Sequence, residues 1–91
     1  MRRAAKVDAT QAAIVQALRS VGVQVEVIKQ PVDLLLCHRG ETSLMEVKNR
    51  DGRDQLTKAQ IEFIARWPGK IHIAHGPQEA VEMVLGKAIT A

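Results

Sequence analysis

The stretch Pro31-Val32-Asp33-Leu34-Leu35-Leu36-Cys37-His38-Arg39-Gly40-Glu41-Thr42-Ser43-Leu44-Met45-Glu46-Val47-Lys48 decides the fold. Two apolar runs flank a polar turn around Arg39–Thr42, so residues 32–38 and 43–49 read as antiparallel strands of one hairpin. Leu34, Leu35 and Leu36 in succession predict burial on both faces of the first strand. Charged groups interrupt both runs: Asp33 in the first, Glu46 and Lys48 in the second. Charges among aliphatic residues are costly unless they are paired or bind a metal. Period-two alternation puts Asp33, Leu35 and Cys37 on one face of the first strand, and Leu44, Glu46 and Lys48 on one face of the second. Turn register decides whether the two sets share a face. With Gly40 and Glu41 as the central turn residues, Asp33 stands opposite Lys48 and Leu35 opposite Glu46. The two carboxylates are then diagonal neighbours, roughly 5–8 Å apart at their side-chain bases. A turn one residue longer would pair Asp33 with Val47 and send the carboxylates to opposite faces.

Outward from the hairpin, residues 8–20 read as a helix, capped by Asp8 or Thr10, with Ile14, Val15, Leu18 and Val21 at helical spacing and Gly22 as its stop. Residues 23–29 alternate as a half-exposed strand with Val23, Val25 and Val27 on one face, and Gln30-Pro31 interrupts it. Beyond the hairpin, residues 50–56 are a polar loop. Thr57 caps a second helix running to about Trp67, with Ile61, Ile64 and Ala65 inward, and Pro68-Gly69 ends it. Residues 70–75 form a fourth strand, and Gly76-Pro77 opens a last helix with Ala80, Val81, Val84 and Leu85 inward. The order is αβββαβα, an α/β domain spanning residues 1–91 with a flexible basic arm over residues 1–7.

Composition bounds the function classes. The chain has 91 residues, enough for one small domain, and 46% hydrophobic content argues against disorder. One Trp, one Phe and no Tyr leave an aliphatic core and argue against an array of base-stacking rings. So small a core is often supplemented by a subunit interface, which predicts a homodimer. A net charge of +3 mildly favours a polyanionic partner. Cys37 is the single cysteine, so a reducing, cytoplasmic compartment is expected, and no apolar run is long enough for a membrane span. His38, His72 and His75 lack metal-ligand spacing, and Cys37 has no partner for nucleophilic catalysis, which makes it a small core residue.

If Asp33 and Glu46 share a face, they suit a hard divalent cation such as Mg²⁺ or Mn²⁺, which prefers one or two carboxylates plus water and phosphate oxygens. Asp33, Glu46 and the backbone carbonyl of Val47 would be its protein ligands. Lys48, on the same face, can orient an attacking water or neutralise charge on a phosphate. On alternation alone, a solvated sheet face in which Lys48 bridges Asp33 and Glu46 explains the same residues equally well.

The succession of a helix, a strand, a Pro31-Val32-Asp33 strand, a Glu46-Val47-Lys48 strand and a Leu56-Thr57-Lys58-Ala59-Gln60 helix resembles the PD-(D/E)XK nuclease superfamily. Within it the chain is similar to small stand-alone VRR-NUC and Holliday-junction-resolvase-like nucleases of bacteria and phages, from about Asp8 to about Val84. The resemblance implies a restriction-endonuclease-like fold with a mixed central sheet flanked by helices. It also implies a metal-dependent DNA endonuclease acting on branched DNA such as a Holliday junction. Asp33 and Glu46 would be metal ligands, Lys48 the catalytic lysine, and Gln60 an active-site residue near the phosphate or attacking water. On its own residues, Gln60 reads as a solvated glutamine. Many relatives carry a first-helix Glu where this chain has Gln11, a poorer ligand, with Asp8 one turn earlier as a substitute. Arg50, Arg53 and Lys58 are candidate DNA contacts, although Asp51 and Asp54 lie among them. Two other readings stay open: a catalytically weak or inactive DNA-binding member, which Gln11 favours, and a non-nuclease α/β interaction module.

Overall fold

A computed structural model describes residues 2–49 and 55–86, with side chains in the first helix described from Ala9 onward. The chain runs α1 (Arg2–Ser20), β1 (Gln24–Val27), β2 (Leu34–His38), β3 (Glu41–Val47), α2 (Lys58–Arg66), β4 (Ile71–Ala74) and α3 (Pro77–Leu85). This is the element order that the periodicities predict. The four strands form one mixed sheet in the order β1-β2-β3-β4. The pairs β1–β2 and β2–β3 are antiparallel, and β3–β4 is parallel. Parallel neighbours need a crossover connection, and α2 lies within it.

One sheet face carries the core. Ile14 and Leu18 of α1 and Ala80 and Val81 of α3 pack with Val25, Leu34, Leu36, Met45, Val47 and Ala74. The first helix stops at Gly22, whose φ of 90° is left-handed and whose N–H donates to the Arg19 carbonyl at 3.1 Å. α1 begins at Arg2, so the expected flexible arm over residues 1–7 is helical backbone from its second residue. Asp8 and Thr10 lie inside the helix instead of capping it. The Arg-Arg-Ala-Ala-Lys segment is rich in strong helix formers, so nothing in it halts propagation.

The expected turn is corrected as well. β2 and β3 pair Leu34 with Met45 and His38 with Glu41, which makes Arg39 and Gly40 the central turn residues. Both have positive φ, 53° and 83°, as a two-residue type I′ hairpin requires. That turn matches the twist of the flanking strands better than one centred a residue later. The correction moves each β2 residue's partner by two positions, so facing within the strands is preserved: Leu35 pairs with Leu44. Asp33 is not opposite Lys48 but lies just before the ladder, at a bend, where its carboxylate accepts from the Val47 N–H.

Smaller differences concern the outer residues. Leu34 and Leu36 are buried but Leu35 is only half-buried, so β2 has one core face rather than two. Val27 is 45% exposed, because β1 lies at the sheet edge. In α2, Ile61 is 54% exposed, Ala65 is exposed and no residue is buried, against the expected inner stripe. Among the described residues, no helix is long and apolar enough to cross a membrane.

Candidate metal and phosphate site

Alternation turns Leu35 and Cys37 of β2, Leu44, Glu46 and Lys48 of the β3 segment, and Ile71 and Ile73 of β4 away from the helical layer of α1 and α3, while Asp33, at the bend before β2, reaches this end of the sheet through its carboxylate. Cys37 is half-buried on this second face rather than within the core. Glu46 and Lys48 are almost wholly buried, at 3% and 8% exposure. Lys48 Nζ lies 3.2 Å from Glu46 Oε2. Gln60 Nε2 donates to the same oxygen at 2.7 Å. The other carboxylate oxygen, Glu46 Oε1, is buried with no hydrogen-bond partner. An unsatisfied carboxylate oxygen in such a position is costly and calls for a partner.

Asp33 sits at the mouth of the β1–β2 connection. Its carbonyl accepts from the N–H groups of Ile28 (2.9 Å) and Lys29 (3.3 Å), which pins the loop. Its carboxylate oxygen Oδ2 accepts from the Val47 N–H at 2.8 Å. The N–H and carbonyl of one strand residue point to the same side, so the Val47 carbonyl is turned towards β2 as well. The Lys48 N–H instead donates to the Ala74 carbonyl across the parallel pair, at 3.0 Å. Two interleaved carboxylates and a buried ammonium therefore share the end of the hairpin. Burial, and then the nearby Asp33 charge, push the Glu46 carboxyl above its usual range, against the opposing pull of Lys48 and Gln60.

Gln60 reaches this site through a local device. Thr57 caps α2, its hydroxyl accepting from the Gln60 N–H at 3.1 Å, while Gln60 Oε1 accepts from the Thr57 N–H at 3.0 Å. That reciprocal pair is a capping box. The box holds the Gln60 carbonyl oxygen and aims the amide nitrogen at Glu46. Gln60 thus touches the Glu46 carboxylate.

The remaining predicted residues are more dispersed. Gln11 is half-buried in α1 and, among the described residues, makes no hydrogen bond to Asp33, Glu46 or Lys48. The first helix approaches this end of the sheet through Thr10 instead, whose hydroxyl is 3.1 Å from Asn49 Oδ1. Lys58 is exposed at the start of α2. Arg50, Arg53, Asp51 and Asp54 lie outside the described residues, as do the side chains of Arg2, Arg3, Lys6 and Asp8. His75 pairs with Glu79 at 3.0 Å, while His38 and His72 line a small cavity against α3.

The donor set fits a hard divalent cation. Glu46 Oε1 is free of hydrogen bonds, and Asp33 keeps a second carboxylate oxygen beyond the one held by Val47. Among the described residues no group of three or more His, Cys, Asp or Glu is assembled for a metal. Two carboxylates with solvent completing the shell is the pattern that suits Mg²⁺ better than Zn²⁺.

Sequence reasoning missed Thr10, Asn49 and a groove beside the site. The groove, about 470 Å³, is lined by Lys29, Gln30, Pro31, Ala59, Gln60, Phe63 and Arg66. Its signal in the sequence was the three-residue spacing of Gln60, Phe63 and Arg66, which places them on one side of α2. No family model, curated protein or solved structure matches this chain.

Proposed function

We propose that this protein is a divalent-metal-dependent DNA endonuclease with a restriction-endonuclease-like fold, built on Asp33, Glu46 and Lys48. The observation that carries the reading is Glu46 Oε1, a buried carboxylate oxygen without a partner, beside a second carboxylate and a buried lysine. A solvated sheet face would leave these groups in water, where no such orphan arises. The sequence resemblance to PD-(D/E)XK nucleases supports the same assignment.

Asp33 and Glu46, with the Val47 carbonyl, would hold Mg²⁺ or Mn²⁺. When bound, that ion supplies an acidified water and Lewis-acid stabilisation of the scissile phosphate. The protein's own groups do the positioning. The Val47 N–H fixes the Asp33 carboxylate, and Gln60 and Lys48 fix that of Glu46. Lys48 brings a positive charge to the non-bridging oxygens as negative charge develops there. Gln60 acts as a positioning residue through Glu46.

Branched DNA such as a Holliday junction is the proposed substrate, cut in a bacterial cytoplasm by a homodimer whose two sites would address two strands. Exposed apolar side chains, Ile61 among them, support self-association.

The test is cleavage of branched DNA by purified protein with Mg²⁺ or Mn²⁺. Glu46→Gln and Lys48→Ala are expected to lower the rate by about 10²–10³-fold or more while DNA binding persists. Undiminished cleavage by both variants would refute the site. A second reading, a DNA-binding protein with weak or no activity, is favoured by the neutral Gln11, which among the described residues makes no hydrogen bond to either carboxylate. Binding without cleavage under either metal would select it.

A further inference from the structure

Next to the carboxylates, the groove between the 28–31 loop and α2 has the make-up of a ligand site that nothing in the cleavage chemistry uses. Its volume is about 470 Å³. That is within the range of small-molecule pockets and far too small for a duplex. One wall is the loop carrying Lys29, Gln30 and Pro31, and the other is the Ala59, Gln60, Phe63 and Arg66 side of α2. Gln60 belongs both to this wall and to the Glu46 contact, so one side chain links the groove to the carboxylates. Gln60 to Arg66 is about 9 Å along the helix axis, at 1.5 Å per residue.

The lining chemistry is cationic and planar. The Arg66 guanidinium carbon lies 5.4 Å from the centre of the Phe63 ring. On the same helix, Phe63 and Trp67 stack with centroids 5.3 Å apart. The chain's only phenylalanine and only tryptophan are thus joined to an arginine in one layered cluster. Lys29 faces this cluster across the groove and is exposed. Among the described residues neither Lys29 nor Arg66 forms an ion pair with a carboxylate. Lys29 also holds a left-handed φ of 72°, a conformation costing a side-chain-bearing residue about 1 kcal/mol or more. The hydrogen bonds onto the Asp33 carbonyl impose it. The segment that positions the metal-site aspartate therefore also positions a lysine at the groove.

We propose that this groove receives one unpaired DNA nucleotide next to the scissile phosphate, its base stacked on the Arg66–Phe63 pair and its phosphate neutralised by Lys29. Planar guanidinium groups and aromatic rings stack on any base, and lysine neutralises a phosphate without reading sequence. The inference rests on the nuclease reading for its substrate and deepens it: the preferred substrate carries an unstacked nucleotide at the cut, as junctions, flaps and single-stranded ends do. Two aromatic rings cannot build a multi-base platform, so the groove holds one base.

Trp67, the only tryptophan, reports on occupancy through its stacking on Phe63. The experiment is a fluorescence titration of the full chain, without divalent metal, using a short single-stranded DNA and a blunt duplex of the same sequence. The single strand is expected to bind more tightly and to change Trp67 emission. Phe63→Leu is expected to weaken its binding about 5- to 150-fold, and Phe63→Tyr, which keeps the ring, to restore it. Lys29→Ala and Arg66→Ala should each lower the salt slope of binding by about one. Arg66→Lys should keep the slope but lose the preference for single strands, because it keeps charge without the plane. Equal binding of the two DNAs, or wild-type affinity and slope in Phe63→Leu, Lys29→Ala and Arg66→Ala, would overturn the groove. Metal-dependent cleavage, assayed in parallel, separates the two readings. Cleavage with unaltered binding in the groove variants sinks the groove alone, whereas groove-dependent binding without cleavage sinks the nuclease alone.

Discussion

The two faces of the central sheet are made by different physics. On one face, α1 and α3 cover Val25, Leu34, Leu36, Met45, Val47 and Ala74 in one apolar cluster. On the other, Leu35, Ile71 and Ile73 are half-buried, and α2 has no buried residue of its own. A polar contact ties α2 to the sheet: the Gln60 amide on Glu46. The first face supplies stability by removing apolar area from water, a term that does not depend on direction. The second gives up part of that term to hold two carboxylates and a lysine where they meet. The apolar cluster and the buried charges thus lie on opposite sides of the same strands, residue by alternate residue.

The largest expected difference between the faces is in core truncation. Leu34→Ala and Leu36→Ala should each cost about 2–5 kcal/mol of unfolding free energy, read by urea denaturation. Leu35→Ala, between them but half-buried, should cost less than half as much. Equal losses for Leu34 and Leu35 would break the two-face description.

Next in size is the anchor of α2. Gln60→Ala removes the capping box and the Glu46 contact together, and should cost about 1–2 kcal/mol. Gln60→Glu keeps a capping-box residue but adds a carboxylate beside Glu46. It is expected to hold α2 in metal and to lose more stability than wild type when the metal is chelated. If chelation affects both proteins alike, Glu46 and Gln60 do not share the ion's environment.

A third test uses pH, where the faces carry opposite signs. Burial raises the Glu46 carboxyl above its ordinary value of 4.5. A raised acid favours the folded state while protonated, so in the absence of metal its contribution is present below about 4.5 and is lost as pH rises through the raised value. Glu46→Gln should flatten that loss. His72, on the helical face, is lowered from 6.5 by burial and then by Lys70. Its contribution is present above 6.5 and is lost as pH falls through the lowered value, and His72→Gln should remove that dependence. Thermal unfolding from pH 4 to pH 8 reads both. A profile unchanged by either substitution would show that neither group titrates with folding.

The smallest effect is local. A Cβ at Gly69 would approach Trp67 Nε1 to 2.8 Å, so Gly69→Ala should displace the indole and shift its emission. The stability change should stay within about 0.5 kcal/mol, since Trp67 is 42% exposed.

Much of this was legible in residue order. Alternation groups Glu46 with Lys48 on one face of β3, and because the turn differs from the expected one by an even shift of two partners, that face is still the one Leu35 shares. Thr57-Lys58-Ala59-Gln60 marks a helix start, and it does cap α2. Other features were not legible. The hairpin turn moved to Arg39–Gly40, because a non-glycine residue accepted positive φ to match strand twist. Ile61 ended up outward, because nothing local says whether an apolar stripe will find a partner. The two aromatics met each other and Arg66 at one end of a helix, where composition alone suggested only scarcity.

Local periodicity and punctuation were enough to establish the seven elements and their order, because helix and strand impose periods of 3.6 and 2 on any chain that adopts them. Long-range contact was needed for the rest: the unsatisfied Glu46 oxygen, the contact of the Gln60 amide of α2 with Glu46, and the groove from Lys29 to Arg66. These depend on groups far apart in the chain meeting at distances of a few ångströms. Burial and pairing of a charge are properties of such meetings, and no single strand or helix carries them alone.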